Sequence, residues 1–228
     1  MTVTGFGPDD ETAARNFANY VPRQALARFL VRNALFKKQL NVKGSVIECG
    51  VHYGGGLMTW AQLSAVYEPY NYHRKVIGFD TFQGFPDVQE VDVKGEGGAH
   101  QGQFAPVPGT LDAIEAHIAA FDQNRYLNHI PKVELVVGNA VKSIPQYVSE
   151  HGYLIVSLLY LDFDIFEPTL VALEQLLPRM PRGAILAFDE LHNPDWPGET
   201  KAMLQGIGLA GRRLRSFEWE PNISYVEL

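Results

Sequence analysis

Five short apolar segments, each followed by a segment of helical periodicity, constrain the fold of this chain more than any other feature. They are rich in apolar and β-branched residues, as strands buried on both faces of a parallel sheet are. Such alternation predicts an α/β fold with a doubly wound, mostly parallel sheet. The segments are SVIECG (45–50), KVIGFD (75–80), KVELVVG (132–138), YLIVSLLYLD (153–162) and GAILAFDE (183–190).

The segments between these strands carry apolar residues at helical spacing. One more helix is predicted at 22–40, ahead of the first strand, within an N-terminal helical region at 1–44. Two final strand candidates, 212–220 and 223–228, are joined at Pro221-Asn222 and predict an antiparallel hairpin at the edge of the sheet. We expect one domain over residues 1–228, with further helices at 55–67, 110–121, 141–150, 167–180 and 198–208.

Charge and cysteine content exclude several classes of function. With 19 basic and 26 acidic residues the net charge is −7, which argues against a nucleic-acid partner. The single cysteine, Cys49, excludes an intramolecular disulfide and a zinc site built on several thiolates. The first residues lack the basic start and apolar run of a secretory signal, and no apolar stretch approaches a membrane span. We therefore expect a cytoplasmic protein without a membrane partner.

The stretch from residue 83 to residue 109 interrupts the alternation of strands and helices. It is rich in glycine, proline and acidic residues and directly follows the second predicted strand. Loops of this length inside compact domains are usually lids or binding loops, or are disordered. We interpret it as a lid or insert loop beside the ligand crevice.

The residues that close the predicted strands are unusually acidic. Ligands of open parallel sheets bind beyond the carboxyl ends of the strands, so these side chains are expected to meet at one edge. Their convergence from four strands predicts a functional site. The acidic residues at these strand ends are Glu48, Asp80, Asp162, Asp164, Asp189 and Glu190.

A glycine-rich turn after the first strand indicates a cofactor loop. Gly50 and Gly54 let the backbone turn tightly and approach a ligand closely, although a turn without a ligand is the alternative. Asp80, at the end of the next strand, can accept hydrogen bonds from ribose hydroxyls. After the third strand, Asn139 and Ala140 could let the chain pass near an adenine ring.

Three strand-end carboxylates suggest a metal site. Asp162, Asp189 and Glu190 offer hard oxygen ligands, which suit Mg²⁺ or Ca²⁺ better than a thiophilic metal. A bound cation would acidify a substrate hydroxyl. The alternative is that these carboxylates cap helices or face water. His192, shortly after this acidic pair, is a candidate base or substrate contact.

Three stretches together resemble the macrocin O-methyltransferase family, whose members are class I enzymes that use S-adenosylmethionine. The resemblance implies a seven-stranded sheet, with the cofactor at the ends of the first two strands. Members of the family methylate hydroxyl groups of sugars. The stretches are VIECGVHYGGG (46–56), VIGFDTFQGFP (76–86) and LLYLDFDIFEPTLVALEQLLPRMPRGAILAFDE (158–190).

The same resemblance assigns roles to individual residues. It implies a divalent metal, usually magnesium, on Asp162, Asp189 and Glu190, although the family more often has aspartate in place of Glu190. Methyl transfer requires removal of the acceptor proton, for which Asp162 or Asp164 is the candidate and His192 the reserve. The cofactor-binding candidates are Glu48, Gly50, Gly54 and Asp80 by position, together with Thr81, Asn139 and Ala140.

The expected partner is a small-molecule acceptor, a sugar or a related natural product. Dimerisation is common among members of the family, so a homodimer is expected. Two alternatives remain open. A nicotinamide-dependent oxidoreductase would use the same glycine turn and Asp80, but the turn lacks G-x-G-x-x-G. A noncatalytic cofactor-binding module would keep the sheet but not the chemistry, and the intact set of carboxylates argues against it.

Overall fold

A seven-stranded sheet forms the centre of the protein. The computed structural model describes residues 10–93 and 98–228, and the strand order is β3-β2-β1-β4-β5-β7-β6. Strands β1 to β5 pair in parallel, and β7 and β6 add an antiparallel hairpin. This confirms the predicted α/β class and the mostly parallel sheet. The strands are Ser45–Cys49 (β1), Val76–Asp80 (β2), Val133–Val137 (β3), Val156–Leu161 (β4), Ile185–Phe188 (β5), Arg215–Phe217 (β6) and Glu220–Glu227 (β7).

Helices cover both faces of the sheet. Because successive strand residues point to opposite faces, Val46 belongs to a core with α2, α3 and α4, and Ile47 to a second core with α5, α6 and α7. The sheet is therefore doubly wound, as predicted. The helices are Asp10–Arg15 (α1), Arg23–Gln39 (α2), Gly55–Tyr67 (α3), Thr110–Gln123 (α4), Ala140–Glu150 (α5), Phe166–Leu176 (α6) and Pro197–Gly206 (α7).

The position of the final turn differs from the prediction. The prediction of a turn at Pro221-Asn222 is wrong, because β7 begins at Glu220 and the chain reverses at Glu218 and Trp219. Proline is tolerated here because the pairing of β7 with β5 covers only Ser224 to Glu227. The absent amide hydrogen of Pro221 therefore removes no bond to β5.

A buried arginine organises the amino edge of the sheet. Arg74 is 4% exposed, and it donates to the backbone carbonyls of Gly44 at 2.8 Å and Val42 at 3.0 Å. Its Nε lies 2.7 Å from Oε1 of Glu68, and its Nη1 also contacts the hydroxyl of Ser157. This side chain thus joins the segment before β1 to the starts of β2 and β4.

Two parts of the sequence predictions lie outside the described residues. These are residues 1–9 of the N-terminal region and residues 94–97 of the long loop. Among the described helices, none has the length and apolar character that crossing a membrane requires.

Candidate active site

A cavity of about 380 Å³ opens at the carboxyl ends of the parallel strands. This is the edge at which sheets of this type bind their ligands. The loops that follow β1, β2, β3, β4 and β5 all contribute to it, and helix α2 adds one arginine. The lining residues are Arg28, Gly50, His52, Asp80, Thr81, Gly84, Phe85, Pro86, Gln103, Phe104, Gly138, Asn139, Ala140, Asp162, Phe163, Asp164, Ile165, Pro168, Asp189, Glu190 and Trp196.

The structure brings most of the predicted site residues to this one cavity. Glu48, Gly54 and His192 are the three that do not line it. The residues that do line it are Gly50, Asp80, Thr81, Asn139, Ala140, Asp162, Asp164, Asp189 and Glu190.

Asp80 fixes the loop that follows β1. Its Oδ2 accepts the backbone N–H groups of Val51 and His52, each at 2.7 Å, and its Oδ1 accepts that of Phe82 at 2.7 Å. Each carboxylate oxygen has two lone pairs, so Oδ1 can accept one further hydrogen bond from a ligand hydroxyl. Asp80 therefore keeps an acceptor position for a ligand hydroxyl while it also shapes the loop after β1.

The glycines of this loop permit close packing inside the protein. At Gly50, with φ +93°, an added Cβ would lie 2.0 Å from the carbonyl oxygen of Asp162, so glycine lets the ends of β1 and β4 meet. Gly54, with φ +81°, adopts the left-handed conformation just before α3. The glycine-rich turn is thus required by the fold itself, and Gly54 shapes the loop from outside the cavity.

Glu48 lies behind the cavity, under the start of α3. It is 1% exposed, and its Oε1 is 3.6 Å from Nη2 of Arg32. An added Cβ at Gly56 would lie 1.8 Å from the same oxygen, so this glycine makes room for the buried pair. Burial raises the pKa of Glu48 to about 7, against the opposing effect of Arg32.

This raised pKa gives a stability prediction. Folded Glu48 holds its proton more tightly than the unfolded chain does, so it lowers stability as the pH rises from about 4.5 to about 7. Replacing Glu48 by glutamine removes that loss. The Tm of Glu48→Gln should therefore rise relative to wild type across this pH range and stay level above it. A Tm difference that does not change with pH would contradict this account.

Four carboxylates crowd the ends of β4 and β5. Burial, followed by repulsion from Asp189, raises the pKa of Asp162 well above its usual range. Burial and repulsion from Asp189 and Glu190 raise the pKa of Asp164 to about 7. The pKa of Glu190 is also raised, mainly by burial. Such an arrangement favours a bound cation or a bound proton.

Arg28 supplies a cation to this acidic group. Its Nη2 contacts Oδ1 of Asp189 and lies 3.7 Å from Oδ2 of Asp162. Tyr160 also donates its hydroxyl to Oδ1 of Asp189. Burial opposes the charge of Arg28, but Asp189 and its neighbours outweigh that effect and raise the pKa of the guanidinium. Arg28 was not predicted from the sequence. Helix α2 was recognised by the spacing of its apolar residues, and Arg28 is one of several polar residues on that helix.

The three predicted metal ligands, Asp162, Asp189 and Glu190, form a donor set of carboxylate oxygens from adjacent strand ends. Such oxygens are the kind of ligand that a hard divalent cation prefers. Two of its three members are engaged by Arg28, and Oε2 of Glu190 accepts a hydrogen bond from Asn193 at 2.6 Å. Within residues 10–93 and 98–228, no three acidic, histidine or cysteine side chains are arranged as a metal site. A metal at Asp162, Asp189 and Glu190 would therefore have to displace the guanidinium.

A buried glutamate that sequence reasoning also missed positions the end of β5. Glu199 of α7 is fully buried and accepts the backbone N–H groups of Asp189 at 3.1 Å and Glu190 at 3.0 Å. Burial and neighbouring carboxylates raise its pKa well above the usual range. The spacing of these residues along the chain carried no signal for this contact.

His192 and the long loop complete the surroundings of the cavity. His192 is exposed outside the cavity, and its backbone N–H donates to the hydroxyl of Thr200 at 2.9 Å. In the loop, the buried carboxylate of Asp92 accepts the N–H of Phe166 at 2.8 Å, at the first residue of α6. The loop is thereby anchored next to the strand-end carboxylates.

Comparisons with known proteins point to methyl transfer. The macrocin O-methyltransferase (TylF) family matches residues 27–202. The structure of CalS11, described as a calicheamicin methyltransferase, aligns with a TM-score of 0.94 and 37% identity over 99% of this chain and 88% of that chain. An apo structure of CalS11, described as a TDP-rhamnose 3'-O-methyltransferase, aligns with a TM-score of 0.85 and 32% identity over 99% and 89% of the two chains. The O-methyltransferase NovP shares the fold, with a TM-score of 0.65 and 20% identity over 88% and 79%. A comparison with curated proteins found no match.

Proposed function

This chain belongs to the macrocin O-methyltransferase family and is a methyltransferase, and we propose that it transfers the methyl group of S-adenosylmethionine to a sugar hydroxyl. The family assigns it to the methyltransferases rather than to the nicotinamide-dependent oxidoreductases. The observation that carries the proposal is the single cavity that joins Asp80 to the carboxylates of β4 and β5. Cofactor and acceptor can therefore meet at one edge of the sheet.

The residues of the cavity divide into two groups under this proposal. Asp80 would accept a ribose hydroxyl, with Thr81, Asn139 and Ala140 around the adenosine. S-adenosylmethionine, when bound, supplies a methyl group on a sulfonium. Transfer of this methyl group to the acceptor oxygen would leave S-adenosylhomocysteine and would require the hydroxyl proton to be taken up. Asp162 or Asp164 lies in the same cavity and can take that proton.

We further propose that a divalent cation assists the reaction. Asp162, Asp189 and Glu190 would hold it, and their hard oxygen atoms suit Mg²⁺. When bound, the cation would lower the pKa of an acceptor hydroxyl. Glu199 holds the backbone of Asp189 and Glu190. It therefore keeps two of the three ligands in place whether or not the cation is bound.

The proposal is tested by turnover with S-adenosylmethionine that carries a ¹³C-labelled methyl group. TDP-rhamnose and methyl α-L-rhamnopyranoside are offered as acceptors, with and without Mg²⁺. A new O-methyl carbon signal on the sugar, formed together with S-adenosylhomocysteine, is the expected result. Cofactor binding without label on any sugar would overturn the sugar as acceptor. Equal rates with Mg²⁺ and with a chelator would overturn the proposal that a divalent cation assists the reaction.

Arg28 and a divalent cation should compete for the same carboxylates. In the variant Arg28→Met, Asp162 and Asp189 lose their cationic partner, so Mg²⁺ binding no longer requires its displacement. We expect the Mg²⁺ affinity, measured by isothermal titration, to rise about tenfold or more, the equivalent of one charged hydrogen bond. Arg23→Met, an exposed arginine on the same helix, is the control. Equal affinities in wild type and Arg28→Met would show that the guanidinium does not occupy the metal position.

A further inference from the structure

We propose that Asp92 is a positioning residue that holds Asp164 where it can take the proton of the acceptor hydroxyl. Asp92 does not line the cavity, and it would act through the start of helix α6 rather than by touching the cofactor or the acceptor. The inference rests on the proposed function, because it explains how the fold places a carboxylate that the proposed reaction uses.

The buried carboxylate of Asp92 links the long loop to helix α6. Asp92 is 2% exposed, and its Oδ1 accepts the backbone N–H of Phe166, the first residue of α6, at 2.8 Å. Its Oδ2 accepts the N–H of Gln89 at 3.1 Å, within the loop. The first N–H groups of a helix have no acceptor inside that helix, and an acidic side chain there also interacts favourably with the helix dipole. Asp92 thus supplies from a distant segment the cap that the apolar Ile165, at the N-cap position, cannot form.

Asp164, two residues before α6, has a strained backbone. Its φ is +61°, in the left-handed region that residues other than glycine seldom occupy. Ile165 N–H donates to the carbonyl of Phe163 at 2.6 Å, which closes a three-residue turn around Asp164. Turns of this kind with a positive φ at the central residue are rare and strained. Such a conformation persists only where its surroundings impose it.

Helix α7 packs directly against this junction at Gly198. A Cβ added there would lie 2.1 Å from Oδ1 of Asp92 and 2.6 Å from the amide nitrogen of Phe166. The same Cβ would lie 3.0 Å from the carbonyl oxygen of Asp164. Glycine therefore lets α7 cover the cap and the strained turn together. Because these groups are packed against one another, we expect a shift of Asp92 to displace Asp164.

The position of the Asp164 carboxylate would set the rate of proton transfer. A general base must lie within hydrogen-bond reach of the proton that it takes, and a misplacement of about 1 Å can lower the rate about 10²-fold. Without the carboxylate of Asp92, the turn before α6 can relax to an ordinary backbone conformation. We expect Asp92→Ala to lower kcat by about 10- to 100-fold. Its affinity for S-adenosylhomocysteine should match wild type, because Asp80 is untouched.

A double-mutant cycle tests whether Asp92 acts through Asp164. Methyl transfer to TDP-rhamnose is measured for wild type, Asp92→Ala, Asp164→Asn and the double variant, well below the Tm of each. If the effect passes through Asp164, adding Asp92→Ala to Asp164→Asn should lower kcat by less than about twofold. A general loss of structure would slow both backgrounds alike. Losses that multiply in the double variant would therefore refute the positioning role.

Two further variants separate the cap on α6 from the other contacts of the loop. Asp92→Asn keeps an acceptor oxygen for the N–H of Phe166, so its kcat should stay within about fivefold of wild type, less than the loss of a charged hydrogen bond. Lys201→Met removes an exposed amine that donates to the carbonyl of Val91 at 3.4 Å, and it should keep the wild-type kcat. Rates as low in Asp92→Asn or Lys201→Met as in Asp92→Ala would contradict the inference.

Crystal structures of Asp92→Ala and Gly198→Ala give a readout that does not depend on an acceptor. In both, Asp164 should leave the left-handed region and its carboxylate should move by about 1 Å or more, the displacement that the rate loss requires. An unchanged Asp164 in both variants would overturn the inference and leave the methyltransferase proposal intact. A displaced Asp164 in an enzyme that labels no sugar would support the contact and overturn the sugar as methyl acceptor.

Discussion

Replacing Asp162 by asparagine is expected to lower kcat for methyl transfer by about 10³-fold, within the range that general base and metal contributions span. Asp162 stands at the end of β4, lies 3.7 Å from Arg28 and is crowded by Asp164 and Asp189. It is a candidate for both proton acceptor and metal ligand, so one substitution removes both contributions. Steady-state rates with a labelled methyl donor give the measurement.

The same variant should still bind the cofactor, since Asp80 is untouched. We expect the Kd for S-adenosylhomocysteine to change by less than about threefold, well under the loss of one charged hydrogen bond. Asp195→Asn, an exposed carboxylate on the connection after β5, serves as the control and should keep the wild-type rate. An Asp162→Asn enzyme with the wild-type rate on its sugar would refute the assigned role of this carboxylate.

Replacing Arg74 by methionine is expected to lower the free energy of unfolding by about 3–5 kcal/mol, as removal of one partner from a buried ion pair does. The side chain is 4% exposed, and its loss removes the cationic partner of Glu68 and one donor to each of the carbonyls of Gly44 and Val42. Among the described residues, Glu68 keeps only its hydrogen bonds from the neutral side chains of Ser64 and Asn71. Urea unfolding followed by circular dichroism measures the change.

A matched control is the partly exposed pair of Arg215 and Glu227, whose nitrogen and oxygen atoms are 3.7 Å apart. Arg215→Met should change the free energy of unfolding by less than about 1 kcal/mol. Because Arg74 lies at the amino edge of the sheet, folded Arg74→Met should retain wild-type cofactor affinity. Equal stabilities for Arg74→Met and Arg215→Met would show that the buried network contributes little.

Much of the fold follows from local sequence patterns. The apolar runs around Ile47, Ile77 and Leu159 are long enough to be recognised as buried strands, and the helices between them show clear periodicity. The final hairpin is confirmed, but its turn lies at Glu218 and Trp219 and not at Pro221, where the proline suggests it. The pairing that tolerates this proline is a contact with β5, more than 30 residues earlier in the chain.

The candidate site was predictable where it depends on strand ends. Asp80, Asp162 and Asp189 end parallel strands, so the topology alone brings them to one edge. Arg28 and Glu199 were not predictable, because each reaches the site from a helix whose polar positions look like solvent-facing ones. Their contacts depend on how those helices pack against the sheet.

For Gly54 and Glu48, the residue type and the spacing along the chain predicted a place in the cavity that the structure does not give them. Gly54 and Glu48 have the residue types of a cofactor loop, but the structure places them outside the cavity, where they fix the turn and the packing of α3. Spacing along the chain is the same for a glycine that faces a ligand and for one that faces its own protein. Only the three-dimensional contacts distinguish the two.

The central claim, cofactor binding at the carboxyl edge of the sheet, is tested most directly by isothermal titration with S-adenosylhomocysteine. Wild type should bind it at a single site with micromolar affinity, and Asp80→Asn should bind it at least about tenfold more weakly, as expected for a hydrogen bond to a charged group. Asp87→Asn, an exposed neighbour, should bind as wild type does. No detectable binding to wild type, or equal binding to Asp80→Asn, would contradict the account.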